Sequence, residues 1–437
     1  MDAYADSLFH EITAAKCEKA DLDAHVKTLK HLTELQQQQL LAVFKNHEPL
    51  FNGKVGKFPR EAHSDVDPEA EPHHHPRPHP VNHANMEVLK NELDRQETLG
   101  IVSKVHEPTA WCMPVFPREK KDGAIRTVHD FRWLNGAMRR RIHTVPKIED
   151  LLFNVRECEC LTKIDISMQC YAFWLDEESS WCCVFSTPFG KHKLNRLGMG
   201  CVQSGDIAQA AMEEAFRDLL HIVKVCMDDI LFHHADWDEH LLMIDEVLRR
   251  LQEFGFAVNP LKCEWGVAET DFLGCWITKT GTRPWEKRIE PMLKMLEPKT
   301  LKDLRRFVGL TNWHRHMHEK RAEALAPLTD MTKVDQRAFK KHWSSDQVQA
   351  FKAAKTMVAQ DALLAHPDPN DEFVIEADAS DYQLGAAIKQ KGKPTAHHSR
   401  KLTEPQKKHS AIEKELLAIL ETVEQFRPFL WGRKITI

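Results

Sequence analysis

Asp228 and Asp229 stand side by side in the run Val225-Cys226-Met227-Asp228-Asp229-Ile230-Leu231-Phe232, which reads as two short apolar strands joined by an acidic turn. Aspartate is a poor strand former and adjacent like charges repel, so the pair is costly between β-forming segments unless a cation neutralises it. The economical reading is a hard divalent metal site. Sixty-three residues upstream, Asp165 interrupts a second apolar strand, Leu161-Thr162-Lys163-Ile164-Asp165-Ile166-Ser167. Mg²⁺ takes oxygen ligands octahedrally and usually binds through one or two carboxylates plus substrate phosphates. Asp165, Asp228 and Asp229 therefore suffice for a two-metal phosphoryl-transfer site, holding two Mg²⁺ ions or Mn²⁺ in their place. Between these aspartates, apolar residues at 207, 211, 212, 215, 216, 219 and 220 make a stripe that predicts a crossover helix packed on the sheet.

At 437 residues the chain exceeds one ordinary core, and two to four domains are expected. No apolar stretch is long enough to span a membrane, and the start of the chain lacks the basic and apolar regions of a signal peptide. Eleven cysteines without framework spacing then imply reduced thiols in an intracellular protein, and no Cys-x-x-Cys pair suggests a zinc ribbon. The net charge of -5 is unevenly spread. Residues 114–147 carry nine Lys or Arg against three acids, and residues 281–360 carry seventeen against nine, which is where nucleic-acid phosphates would be neutralised. Residues 1–80, with nine basic and thirteen acidic side chains, read as a solvated connector.

Periodicity predicts helices over 32–44, over 86–99 with Gly100 as its stop, and over 237–254. Asp236 and Glu239 form a capping box for the last of these, and Gly255 ends it. Two strands flank Asp122-Gly123, a hairpin-turn signal. Four histidines lie in the run from Pro72 to Pro80, but its prolines favour an extended entry segment over a metal cluster. Arg139-Arg140-Arg141 reads as plain basic surface, and Cys170 and Tyr171 as successive strand residues on opposite faces.

The motifs Lys120-Lys121-Asp122-Gly123, Asp130-Phe131-Arg132-Trp133-Leu134-Asn135, Lys163-Ile164-Asp165, Met227-Asp228-Asp229 and Phe272-Leu273-Gly274 resemble, in order and spacing, the reverse transcriptase of gypsy-type long-terminal-repeat retrotransposons. The similarity continues through Leu304-Arg305-Arg306-Phe307-Val308-Gly309 and Asp378-Ala379-Ser380-Asp381-Tyr382 to Glu413-Lys414-Glu415-Leu416-Leu417. The resemblance implies an α+β right-hand polymerase followed by a truncated α/β ribonuclease H-like domain. Its parts would be an acidic spacer at 1–80, fingers at 81–160, palm at 161–279, thumb at 280–340, connection at 341–367 and the ribonuclease H-like segment at 368–437. It further implies a template of RNA or DNA with a primer and dNTPs as partners, and no membrane. Lys120 or Lys121, Arg126, Cys170 and Met199 take positions that contact the incoming nucleotide in the family, and Phe272, Leu273 and Gly274 those that position the primer. Asp378 and Glu415 match the first two acids of a ribonuclease H centre, whose third would follow the strand Ile435-Thr436-Ile437. On this alignment that centre is incomplete, cleavage of an RNA-DNA hybrid is expected to be lost, and the last strand is expected to end unpaired and fray.

The chain also departs from the family. Cys170 and Cys275 replace aromatics, Cys226 replaces the tyrosine before the x-Asp-Asp turn, and His79, His314, His398 and His409 stand where tyrosine is typical. Single A-to-G or T-to-C transitions account for every one of the tyrosine replacements, the signature of a decaying or edited element copy. Gly198 and Gly205 replace prolines, exchanging a fixed φ for a permissive one and so weakening the nucleotide floor. The alternative to an active polymerase is a weakened or silent nucleic-acid-binding relic. A cyclase or phosphotransferase on a similar palm lacks support, because thumb and ribonuclease H motifs follow in polymerase order.

Overall fold

The computed structural model describes residues 19–75, 77–119, 125–335, 339, 341–360 and 362–437. These group into two compact units, one of residues 19–146 and 161–267, the other of 147–160 and 268–437.

In the first unit the strands are β1 (Val102–Val105), β2 (Met113–Glu119), β3 (Ile125–His129), β4 (Cys160–Asp165), β5 (Val184–Thr187), β6 (Gly190–Leu194), β7 (Lys224–Cys226), β8 (Asp229–His234) and β9 (Glu264–Val267). They form a five-stranded sheet in the order β1-β6-β5-β2-β3 and a four-stranded sheet in the order β7-β8-β4-β9. β2 and β3 pair antiparallel as expected, and the Lys120 to Gly123 turn between them lies outside the described residues. β8 is buried from Ile230 to His233, the continuous apolar run of a strand covered on both faces.

Two helices pack on this sheet. Ser204–Ala215 turns Ala208, Ala211, Met212 and Ala215 inward at the 3.6-residue period and ends five residues before the predicted limit, in turns after Phe216. Trp237–Glu253 is capped by Asp236, which accepts from the backbone N–H groups of Asp238 and Glu239, and buries Ile244, Val247, Leu248 and Leu251.

The solvated-connector expectation fails for residues 22–62. Leu22, Val26, Leu40, Phe44, Leu50, Phe51 and Phe58 join the core of the first unit, and Phe44 meets Trp265 edge-on at 4.7 Å between ring centroids. Lys57, Phe58 and Ala62 donate backbone hydrogen bonds to the carbonyls of Gly255, Ala172 and Trp174. Gly255, at φ +68°, is required there, because a Cβ would stand 1.8 Å from the Lys57 carbonyl oxygen. The acidity of the segment lies on its outer face, so the composition concealed the apolar stripe beneath. In the described part of the proline-histidine run, His73 stacks on Trp133 at 4.5 Å and His79 lies tilted against Phe116 at 3.9 Å between ring centroids.

The second unit contains β10 (Thr270–Phe272), β11 (Cys275–Ile277), β12 (Gly281–Pro284), β13 (Leu364–Ala365), β14 (Phe373–Ala379), β15 (Gln383–Gln390), β16 (Lys393–Lys401) and β17 (Ile435–Thr436). These make two four-stranded sheets, β10-β11-β12-β13 and β16-β15-β14-β17. Helices Leu301–Asn312, Arg321–Met331 and Ser345–Ala359 share a core of Leu304, Phe307, Leu325, Leu328, Phe351 and Ala354. Helix Ala411–Gln425 packs on β14 and β15. The last strand does not end unpaired: β17 runs parallel to β14 with Phe373 opposite Ile435 and Val374 opposite Thr436. Among the described residues no helix is long and apolar enough to cross a membrane.

Candidate polymerase active site

Cys226 pairs with Asp229, so Met227 and Asp228 form a two-residue connection between β7 and β8. Met227 has φ +57° and Asp228 does not share the positive sign, so the left-handed backbone falls on the first of the two connecting residues. For a non-glycine residue such a backbone costs roughly 1–3 kcal/mol and persists only when its surroundings fix it. Those surroundings are polar and buried. Gln209 accepts from the Met227 N–H at 2.8 Å, and Gln169 donates to the Met227 carbonyl at 2.9 Å.

Asp165 ends β4, the strand beside β8, and the next residue, Ile166, donates its N–H to the Asp228 carbonyl at 2.9 Å. Burial pushes the Asp165 carboxyl up to about 6, the Asp228 charge adds to the rise, and Lys262 opposes it with Nζ 3.9 Å from Asp165 Oδ1. Burial also raises Asp228, against a backbone hydrogen bond and Lys262. Two half-buried carboxylates whose charged forms burial disfavours, with the Asp228 charge adding to the cost at Asp165, are a donor set suited to a hard dication, so the residues fit the expected Mg²⁺. Asp229 opens β8, and its charge helps hold the Cys226 thiol up at about 12, after burial as the main cause. Among the described residues, no three His, Cys, Asp or Glu side chains converge closely enough to hold a metal ion, so the pairing seen is Asp165 with Asp228.

Cys170 is on the short helix Gln169–Ala172, not on a strand, because Met168 at φ +49° turns the chain after Ser167. Its thiol is pushed up to about 12, first by burial and then by the Asp228 charge, which places it beside that carboxylate. Tyr171 is buried in the core of the first unit, and its carbonyl accepts from Arg196 at 2.6 Å. Met199 is half-buried against the core, in a loop that Asn135 holds through Gly200 and Val202. Gly198 is not loose: a Cβ would come within 2.7 Å of Leu194 Cδ1 and 3.0 Å of Phe131 Cε2. At Gly205 a Cβ would meet the flexible end of Met227 at 3.2 Å.

The three arginines expected as plain basic surface are paired. Arg139 bonds Asp67 at 2.9 Å, Arg140 holds buried Asp206 through two bonds of 2.6 and 3.0 Å, and Arg141 stands 3.9 Å from Asp65. Lys120 and Lys121 lie outside the described residues, as does the side chain of Arg126 on β3. In the second unit, Leu273 and Gly274 are the positive-φ turn between β10 and β11, and Phe272 is buried. Asp378 on β14 and Glu415 on helix Ala411–Gln425 are both exposed. Sequence reading missed Gln169, Gln209 and Lys262. A signal existed for Gln209, a polar residue set between the apolar positions 207, 211 and 212 of its helix.

Residues 118–277 match the family model described as reverse transcriptase (RNA-dependent DNA polymerase), and residues 343–437 that of the RNase H-like domain found in reverse transcriptase. The chain thus carries a reverse transcriptase domain followed by an RNase H-like domain. The retrovirus-related Pol polyprotein from transposon 297 of Drosophila melanogaster is 29% identical over 359 residues, covering 80% of this chain and 33% of that protein. The transposon Tf2-7 polyprotein of Schizosaccharomyces pombe is 29% identical over 364 residues, covering 81% of this chain and 27% of that protein. The chain therefore spans a third or less of the length of these relatives. Among solved structures, the foamy viral protease-reverse transcriptase in complex with dsDNA superposes with a TM-score of 0.84 at 22% identity, over 95% of this chain and 88% of that one. The same protein in complex with RNA/DNA hybrid gives 0.80 at 21%, over 95% and 57%.

Proposed function

We propose that this chain is the RNA-directed DNA polymerase region of a gypsy-type retrotransposon polyprotein, extending a primer 3′-hydroxyl with dNTPs on an RNA or DNA template. The observation that carries the reading is the pairing of Asp165 with Asp228 at a strained, clamped turn. Two Mg²⁺ ions, when bound, supply Lewis acidity at the attacking hydroxyl and at the departing pyrophosphate. Asp165 and Asp228 would hold them, and Asp229 adds negative potential from the head of β8. Lys120, Lys121 and Arg126 neutralise the triphosphate, Met199 and Cys170 lie under the nucleotide, and the Phe272-Leu273-Gly274 turn positions the primer. Asp378 and Glu415 are the matching acids of the RNase H-like domain. Extension of an oligo-dT primer on poly-A with Mg²⁺ tests the reading. Template-primer binding without any extension would favour the silent relic, which the cysteines at 170 and 226 support.

Cys170 sets selectivity in this reading. A cysteine leaves space where an aromatic would exclude a ribose 2′-hydroxyl. Cys170→Tyr should raise the ratio of kcat/KM for deoxynucleotides over ribonucleotides by about tenfold or more. An unchanged ratio would place Cys170 away from the sugar.

A further inference from the structure

We propose that Gln169 and Gln209 are positioning residues, a two-sided clamp on Met227 that aims the Asp228 carboxylate for metal binding; the proposal rests on the metal reading above. Both side chains are buried, Gln209 completely. The Gln209 amide has only one workable orientation. Its Oε1 accepts from the Met227 N–H at 2.8 Å, while its Nε2 donates to the Val225 carbonyl at 3.2 Å and to Glu213 Oε1 at 2.8 Å. A flipped amide would set donor against donor and acceptor against two acceptors. Glu213 is itself held, since its Oε2 lies 2.9 Å from His143 Nε2.

The consequence falls on Asp228. The peptide plane before it is fixed by Gln169 Nε2 on the Met227 carbonyl, and the plane after it by the Ile166 N–H on its own carbonyl. With both flanking planes held, the direction of the Asp228 Cα–Cβ bond is set. Met227 at φ +57° is the residue that would relax if either glutamine let go, and its relaxation would turn that bond away from Asp165. The turn sequence carries no glycine to hold this shape unaided.

Mn²⁺ binding followed by electron paramagnetic resonance, without nucleic acid, reads the clamp independently of turnover. Gln209→Leu and Gln169→Leu should each weaken Mn²⁺ binding about tenfold or more, the range seen when partners of metal ligands are removed. Mg²⁺ half-saturation in primer extension should rise in parallel, with template-primer affinity unchanged. Adding Met227→Gly to either variant should recover much of the loss, because glycine adopts positive φ without strain. A merely structural glutamine would not be rescued this way. Unchanged Mn²⁺ affinity in a folded Gln169→Leu or Gln209→Leu protein, or no rescue by Met227→Gly, would overturn the clamp. If the wild-type chain itself binds no Mn²⁺, it is the metal reading that fails.

Discussion

Replacing Asp165 or Asp228 with asparagine should lower primer extension by on the order of 10³-fold or more, while template-primer binding persists and the folded protein becomes more stable. The loss follows from removing one of two carboxylates in a site whose chemistry depends on divalent charge. The gain in stability follows from the sign of the pKa shift. Asp165 is raised from 3.8 to about 6, so above that pH its ionised form costs stability relative to the unfolded chain. The shift corresponds to an upper bound of about 3 kcal/mol at neutral pH, at roughly 1.4 kcal/mol per unit. Asparagine keeps the shape and removes the charge, so the thermal midpoint should rise without metal. An inactive variant that melts higher than wild type cannot be a misfolded one. Equal extension by wild type and either variant would refute the assignment, and a lower midpoint would show that burying the charged carboxylate does not cost stability. Metal binding should also weaken as pH falls below about 6, because protons then compete for Asp165.

The strands that deliver these aspartates were legible in the sequence as short apolar runs, and the helix between them by its periodic apolar face. What composition hid was long-range. The acidic N-terminal segment reads as solvent-facing, yet Phe44, Phe51 and Phe58 complete the core of the first unit. Arg139, Arg140 and Arg141 read as a free basic run because their partners, Asp67, Asp206 and Asp65, are distant along the chain. Residues 147–160 group with 268–437 although they fall between segments of the other unit, a division no local pattern encodes. The strand expected through Cys170 stops short because one left-handed residue, Met168, turns the chain into the helix Gln169–Ala172. Each miss is a case of tertiary context overriding a correct local signal.

Acidification should destabilise the second unit steeply between about pH 6.5 and 4. His314, His316 and His318 are buried there, and burial is the first cause holding their imidazoles down at about 3, 4 and 4. The charges of His316, His318 and Arg288 add to burial at His314, those of Arg315, His318 and His397 at His316, where Glu149 opposes them, and those of His397 and Arg321 at His318. Each leaves one ring nitrogen buried without a hydrogen-bond partner. In the unfolded chain these groups take up protons near 6.5, but in the folded chain only near 3 to 4, so stability is complete above 6.5 and falls as pH drops through that window. By pH 5 each would cost about 2 kcal/mol, and the three together are comparable with the whole stability of a domain. Thermal unfolding followed from pH 7.5 to 5.0 should therefore show the transition of this unit moving sharply downward. His314→Tyr, which carries no titrating cation, should make that dependence shallower, with His366, His397 and His398 of the same unit, which burial also lowers, left to titrate. If the midpoint is flat across this range, or the variant changes only its height and not its slope, these imidazoles are not what the fold keeps neutral.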